Sequence, residues 1–157
     1  MKIKMLVMDV DGTLTDGRIY IGAAGEMMKA FDAKDGYGIV QLRKRGIVPV
    51  IITGRISDIV SRRAEELGIT ELYQGVPDKL QKLKDIAGSY NCTPDQIAYI
   101  GDDLNDLECI RYCGVTACPA DAVEEVKALV GYVCENQGGR GAVREFVEKV
   151  MAFLGEQ

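Results

Sequence analysis

The chain contains no histidine. That absence removes Ser-His-Asp and Cys-His nucleophilic catalysis, histidine-ligated zinc and any imidazole base. Acid–base work must fall to carboxylates or lysine. No apolar run approaches the about 20 residues of a membrane span, so no membrane segment is predicted. Basic residues are in deficit: 19 Lys and Arg stand against 24 Asp and Glu, for a net charge of −5. A nucleic-acid binder would normally show a basic face, and that class is set aside. The five cysteines, Cys92, Cys109, Cys113, Cys118 and Cys134, form no C-x-x-C pair and are odd in number. They read as free buried thiols in a reducing compartment rather than as a disulfide framework. There is no signal-peptide pattern, because Met1-Lys2-Ile3-Lys4 leads directly into a strand. A cytoplasmic location is the expectation, and no linker, repeat or low-complexity segment interrupts the chain.

What is present is strand alternating with helix. At 157 residues and 47% hydrophobic content, residues 1–157 are expected to form one domain with a sizeable core. Apolar β-rich runs predict strands at Ile3–Met8, Ile47–Ile52, Leu72-Tyr73, Ile97–Ile100, Val115–Cys118 and Tyr132-Val133. Helical spacing and end signals predict helices at Gly36–Lys44, Ser57–Leu67, Asp78–Ala87, Leu104–Tyr112, Ala122–Leu129 and Ala142–Leu154. Thr93-Pro94-Asp95-Gln96 reads as a capped helical turn. Such alternation implies right-handed crossovers and a three-layer, Rossmann-like α/β fold with a mostly parallel central sheet. No segment is long enough for a cap domain. The one insertion, at about 17–31, reads as a β-hairpin with arms Arg18–Gly22 and Glu26–Phe31. Its Ile19, Tyr20, Ile21, Met27 and Met28 are apolar for so small a unit, and an isolated hairpin is marginal in water, which points to pairing with another subunit. A C-terminal tail covers about 138–157.

The chemistry gathers at strand ends. The run Met5–Met8 is followed by Asp9-Val10-Asp11-Gly12-Thr13. An apolar strand ending in two carboxylates calls for a hard cation, since an unpaired buried carboxylate is costly. The carboxyl ends of parallel strands are where open α/β sheets bind ligands. Two further strands end in Thr53-Gly54-Arg55 and Gly101-Asp102-Asp103 with Asp106 beyond, and Lys79 opens a helix.

In this order, Asp9-x-Asp11-Gly12-Thr13, Thr53-Gly54-Arg55, Lys79 and Gly101-Asp102-Asp103-x-x-Asp106 resemble the haloacid dehalogenase superfamily of phosphatases. The resemblance implies that Asp9 is a nucleophile forming an aspartyl-phosphate, and that Asp11 is the acid that protonates the leaving group and then the base that activates water. It implies Mg²⁺ held by Asp9, the Asp11 carbonyl and Asp102, with Asp103 and Asp106 orienting their surroundings. Thr53 would hydrogen-bond the phosphoryl group and Lys79 would neutralise charge. Neutralisation matters: two unit charges about 4 Å apart repel by about 4 kcal/mol at an effective dielectric near 20.

Further segments carry the resemblance over nearly the whole chain. Asp16-Gly17-Arg18-Ile19-Tyr20, Lys29 to Ile39, Leu72-Tyr73-Gln74-Gly75 and Gly138-Gly139-Arg140-Gly141 are similar to the capless branch that hydrolyses 3-deoxy-D-manno-octulosonate 8-phosphate. That branch implies substrate contacts from Asp11, Asp32, Ala33, Lys34, Asp35, Gly36, Arg55, Arg63, Lys79 and Arg140. It also implies a homotetramer in which a neighbouring subunit completes each site. Lys34 and Thr13 stand where better-known members carry arginine and valine. A sister group acting on a nine-carbon keto-deoxy sugar acid phosphate tends to carry glutamate at the Arg55 position. Other sugar phosphates stay open, as do a phosphoacceptor signalling domain and a non-catalytic tetramerising domain. A receiver-type phosphoacceptor would need an Asp on the middle strand, where Ile47–Ile52 offers none.

Overall fold

The computed structural model describes residues 2–155, and its six-stranded sheet is parallel throughout. In chain order the elements are β1 (Met5–Met8), the hairpin strands β2 (Tyr20–Gly22) and β3 (Gly25–Met28), α1 (Ala33–Lys44), β4 (Val48–Ile52) and α2 (Asp58–Leu67). Then come β5 (Glu71–Tyr73), α3 (Lys79–Ser89), β6 (Ile97–Ile100), α4 (Leu107–Tyr112), β7 (Val115–Cys118), α5 (Glu124–Lys127), β8 (Tyr132–Val133) and α6 (Ala142–Gly155). Short 3₁₀ turns at Pro94–Gln96 and Leu104–Asp106 precede β6 and α4.

The strand order is β5-β4-β1-β6-β7-β8. The chain winds outward from β1 through β4 to β5, then returns to the other side of β1 with β6. Strand order therefore reverses between β1 and β6, and the crevice above their carboxyl ends is the expected ligand position in an open α/β sheet. Met8 lies in register with both Ile51 and Ile100, so β1 and β6 end level and β4 runs one residue further, to Ile52.

Each central strand is buried on both faces, which explains its continuous apolar run. Leu6, Met8, Ile51, Ala98 and Ile100 pack under α1, α2 and α6, with Ile39, Leu42, Val60, Ala64, Phe146 and Val147. Met5, Val7, Val50, Ile52, Ile97 and Tyr99 pack under α3, α4 and α5, with Leu83, Ile86, Cys109, Ile110 and Val126. These are the three expected layers.

Several boundaries differ from expectation, mostly through capping. α1 begins at Ala33 rather than Gly36, because the Asp32 carboxylate accepts the Lys34 N–H at 2.7 Å and starts the helix three residues early. Ser57 and Asp78 are caps rather than first turns of α2 and α3. The stretch expected as helix from Leu104 opens as a 3₁₀ turn that Asp103 caps. All five cysteines are free; four are buried, and Cys92 is only half-buried. No helix of the described residues is long and apolar enough to cross a membrane.

Candidate active site

Asp9 continues directly from β1, and its N–H still bonds Ile100 of β6 at 3.2 Å. The chain then turns back tightly: the Val10 carbonyl accepts the N–H groups of Thr13, Leu14 and Thr15. Gly12 sits at φ +89°, and a Cβ there would lie 1.9 Å from Asp102 Oδ2. Only glycine lets this turn and the β6 carboxylate approach so closely. Thr13 completes the link by donating its hydroxyl to Asp102 Oδ1 at 3.0 Å.

Lys79, at the first position of α3, reaches under the same crevice. Its ammonium bonds Asp9 Oδ1 at 2.9 Å and Asp106 Oδ1 at 3.0 Å. The three residues are all buried, at 5%, 5% and 0% exposure for Asp9, Lys79 and Asp106. Burial works against the Lys79 charge, but the two carboxylates outweigh it and hold the lysine above its ordinary value. Burial pushes Asp9 up, with Asp106 adding to it and Lys79 opposing. Burial and the neighbouring Asp9 push Asp102 up to about 9.

Asp9, Asp102 and Asp106 offer carboxylate oxygens within 4.8 Å of one another. With all three ionised, three carboxylates against one ammonium would leave two negative charges in excess, and a divalent cation with oxygen ligands is what would stabilise that ionised set. Asp106 is not free to supply a ligand. Its Oδ1 accepts from Lys79 and Tyr99, and its Oδ2 accepts the N–H groups of Asp102 and Asp103 at 3.0 and 3.2 Å. With those bonds made, Asp106 braces the β6 loop, which leaves Asp9 and Asp102 as the available carboxylates.

Asp9, Asp11, Thr53, Gly54, Arg55, Asp103 and Asn105 line a cleft of about 170 Å³. Thr53 is buried and held by backbone bonds to Tyr73 and Val76. Arg55 is half-exposed at the mouth, its Nε 3.8 Å from Asp11 Oδ2. Asp103 caps the 3₁₀ turn through the Leu104 N–H at 2.7 Å.

The other expected substrate contacts lie apart from this cleft within one chain. Asp32, Asp35, Gly36 and Arg63 line a separate apolar cavity of about 10 Å³, too small for a sugar. Arg63 stacks on the Phe31 ring and bonds the Asp32 carbonyl at 3.5 Å. Ala33 and Lys34 are exposed on the first turn of α1. Arg140 is exposed and follows Gly138-Gly139, which packs against the Gly12–Asp16 turn of its own chain. The Gly139 N–H bonds the Thr13 carbonyl at 3.1 Å, and a Cβ on Gly138 would lie 2.0 Å from the Gly12 carbonyl oxygen.

Sequence reasoning did not single out Lys29, Glu26, Thr13 or Asn105 as site residues. Lys29 Nζ lies 2.6 Å from Asp11 Oδ1. A hairpin this short has no periodicity to say where its polar side chains turn; a lysine directly after the apolar pair Met27-Met28 was the one available signal.

Asp35 has a measurable consequence. Its Oδ1 accepts the Arg144 N–H at 2.9 Å, while its Oδ2 is buried without a partner among the described residues. Burial raises it from 3.8 to about 6, the Arg144 bond opposing. A carboxyl bound more tightly to its proton in the folded state loses stability as pH rises through that window. The total is about 3 kcal/mol at 1.36 kcal/mol per pH unit. Asp35→Asn should therefore exceed the parent in urea stability at about pH 7.5 by up to about 3 kcal/mol, and match it near pH 4.

The chain belongs to the haloacid dehalogenase-like hydrolase family, whose model matches residues 58–146. Among its relatives is the 3-deoxy-D-manno-octulosonate 8-phosphate phosphatase KdsC of Yersinia pestis, 44% identical over 149 residues, spanning 95% of this chain and 80% of that protein. The enzyme of the same name from Escherichia coli K12 is 42% identical over 154 residues, covering 98% and 82%. The crystal structure of the Moraxella catarrhalis phosphatase of that name, in complex with magnesium ion, phosphate ion and KDO, superposes with a TM-score of 0.92. It is 40% identical and covers 98% of this chain and 92% of that one.

Proposed function

We propose that this protein is a Mg²⁺-dependent phosphatase that hydrolyses 3-deoxy-D-manno-octulosonate 8-phosphate through an aspartyl-phosphate on Asp9. The observation that carries the reading is the buried Asp9–Lys79–Asp106 bridge beside Asp102, set at the switch point between β1 and β6. The identity to octulosonate phosphatases over nearly the whole chain supports the substrate.

The side chains of Asp9 and Asp102 and the backbone carbonyl of Asp11 would hold the ion. Mg²⁺, when bound, offsets the repulsion between the carboxylates and the phosphate. The Asp9 oxygen attacks phosphorus, the ester P–O bond breaks, and the electron pair leaves on the sugar oxygen. Asp11 gives that oxygen its proton. Asp11, now a carboxylate, takes a proton from water as the water oxygen attacks phosphorus and releases Asp9. Lys79 offsets part of the cost of charging buried Asp9 and aims its carboxylate, and Thr53 donates to a phosphoryl oxygen. Arg55 at the mouth suits the substrate's carboxylate.

Ile21, Met27 and Met28 expose apolar surface on the hairpin, and Ile56 and Leu104 do so beside the cleft. Such a rim favours a homotetramer in which a second copy covers the cleft and brings the Asp32–Gly36 turn, Arg63 or Arg140 to the sugar. Four buried free thiols favour the cytoplasm.

The test is kcat/KM over a panel of sugar and sugar-acid phosphates, with Mg²⁺ and with a chelator. The octulosonate 8-phosphate should exceed the others, with turnover lost to the chelator and restored by Mg²⁺. Equal slow turnover of every ester would contradict the substrate assignment. A monomer by mass in solution would contradict the shared site.

A further inference from the structure

We propose, on the phosphatase reading above, that Lys29 is a positioning residue: it clamps one oxygen of Asp11 so that only the other can exchange a proton with the substrate. The lysine sits just after β3, beside the exposed Met27 and Met28, yet its own side chain is only 2% exposed. Burying an ammonium is costly without close partners. Here the partners are Asp11 Oδ1 at 2.6 Å and Glu26 Oε2 at 3.4 Å.

The clamp divides the two oxygens of Asp11. Oδ1 is occupied by Lys29, and Oδ2 faces Arg55 across the mouth of the cleft. A carboxyl on a turn rotates broadly about its last torsion unless something fixes it. Proton transfer needs a heavy-atom approach of about 2.6–3.2 Å, and a misplacement of about 1 Å can cost about 10²-fold in rate.

Lys29 is itself anchored. Glu26 Oε1 accepts the Ser57 hydroxyl, and Ser57 caps α2 while its N–H donates to Gln74 Oε1 at 2.8 Å. One chain of contacts thus runs Asp11–Lys29–Glu26–Ser57, joining the hairpin to the segment that carries Thr53 and Arg55. Seating of the hairpin and aim of the acid–base carboxyl are mechanically one event.

The experiment compares two leaving groups. An alkyl phosphate needs its leaving oxygen protonated, whereas p-nitrophenolate departs without help, and kcat/KM reports the step that releases the alcohol. Lys29→Met keeps the aliphatic bulk and removes the ammonium. Its kcat/KM for the sugar phosphate should fall about 10²-fold, and for p-nitrophenyl phosphate at least about ten times less. Glu26→Gln should shift the same ratio in the same direction by a smaller factor. A crystal structure of Lys29→Met should show the Asp11 carboxyl turned from its parent orientation. Equal losses on both esters, or an unmoved Asp11, would overturn the proposal. If the parent releases no phosphate from either ester with Mg²⁺, the phosphatase reading falls and takes the clamp with it. If Asp9→Asn is dead and the Lys29→Met ratio is unchanged, only the clamp is wrong.

Discussion

Asp9→Asn is expected to lower phosphate release by about 10⁴-fold or more, and to leave the metal-free protein at least as stable as its parent. The two halves have one cause. Asp9 is the carboxylate that emerges from β1 into the crevice, bonded to Lys79 at 2.9 Å. An amide of the same shape cannot form the acyl-phosphate bond. Burial and the neighbouring Asp106 already disfavour the Asp9 charge in the fold, so a neutral side chain relieves repulsion there. Parallel assays of phosphate release and thermal unfolding check both halves. A variant that is inactive because it is unfolded would not support the nucleophile assignment.

Lys79→Met should have the largest effect on stability. Lys79 is the only ammonium bonded to Asp9 and Asp106 among the described residues. Without it, Asp9 and Asp106 lose their shared cation in a buried crevice, and removing one partner of a buried ion pair costs about 3–5 kcal/mol. Chemical denaturation at neutral pH in chelator should show that loss. Saturating Mg²⁺ should recover part of it, because an ion that binds only the folded state stabilises by mass action. Activity should stay low even with Mg²⁺, since the group that aims Asp9 and offsets phosphate charge is gone. A fully active Lys79→Met would contradict the charge balance proposed for the site.

The sheet was legible because its central strands, buried on both faces, are short continuous apolar runs rich in β-formers. Ile97–Ile100 and Val115–Cys118 fall where their apolar runs predict. The strand-end acids were legible for a different reason: a β-rich run that stops in carboxylates has few stable explanations. Helix starts were harder. The Asp32 cap moves the start of α1 three residues forward, and nothing in the apolar spacing of Ile39, Val40 and Leu42 reports a cap. The site beyond the strand ends was least legible. Arg63 reads from sequence as a substrate contact but packs on Phe31 in a single chain, and Lys29 reads as one residue among many yet touches Asp11. Long cations reach several ångströms from their backbone, so position along the chain says little about where the charge ends.

The central claim is that Asp9 becomes phosphorylated and Asp11 helps water remove the phosphate. The most direct measurement is mass mapping of peptides from the Asp11→Asn variant, acid-quenched during reaction with substrate and Mg²⁺. Slowed hydrolysis should trap phosphate on the peptide containing Asp9, at the Asp9 carboxyl. Covalent phosphate on another residue, or none on Asp9 at any quench time while phosphate is still released, would contradict the account.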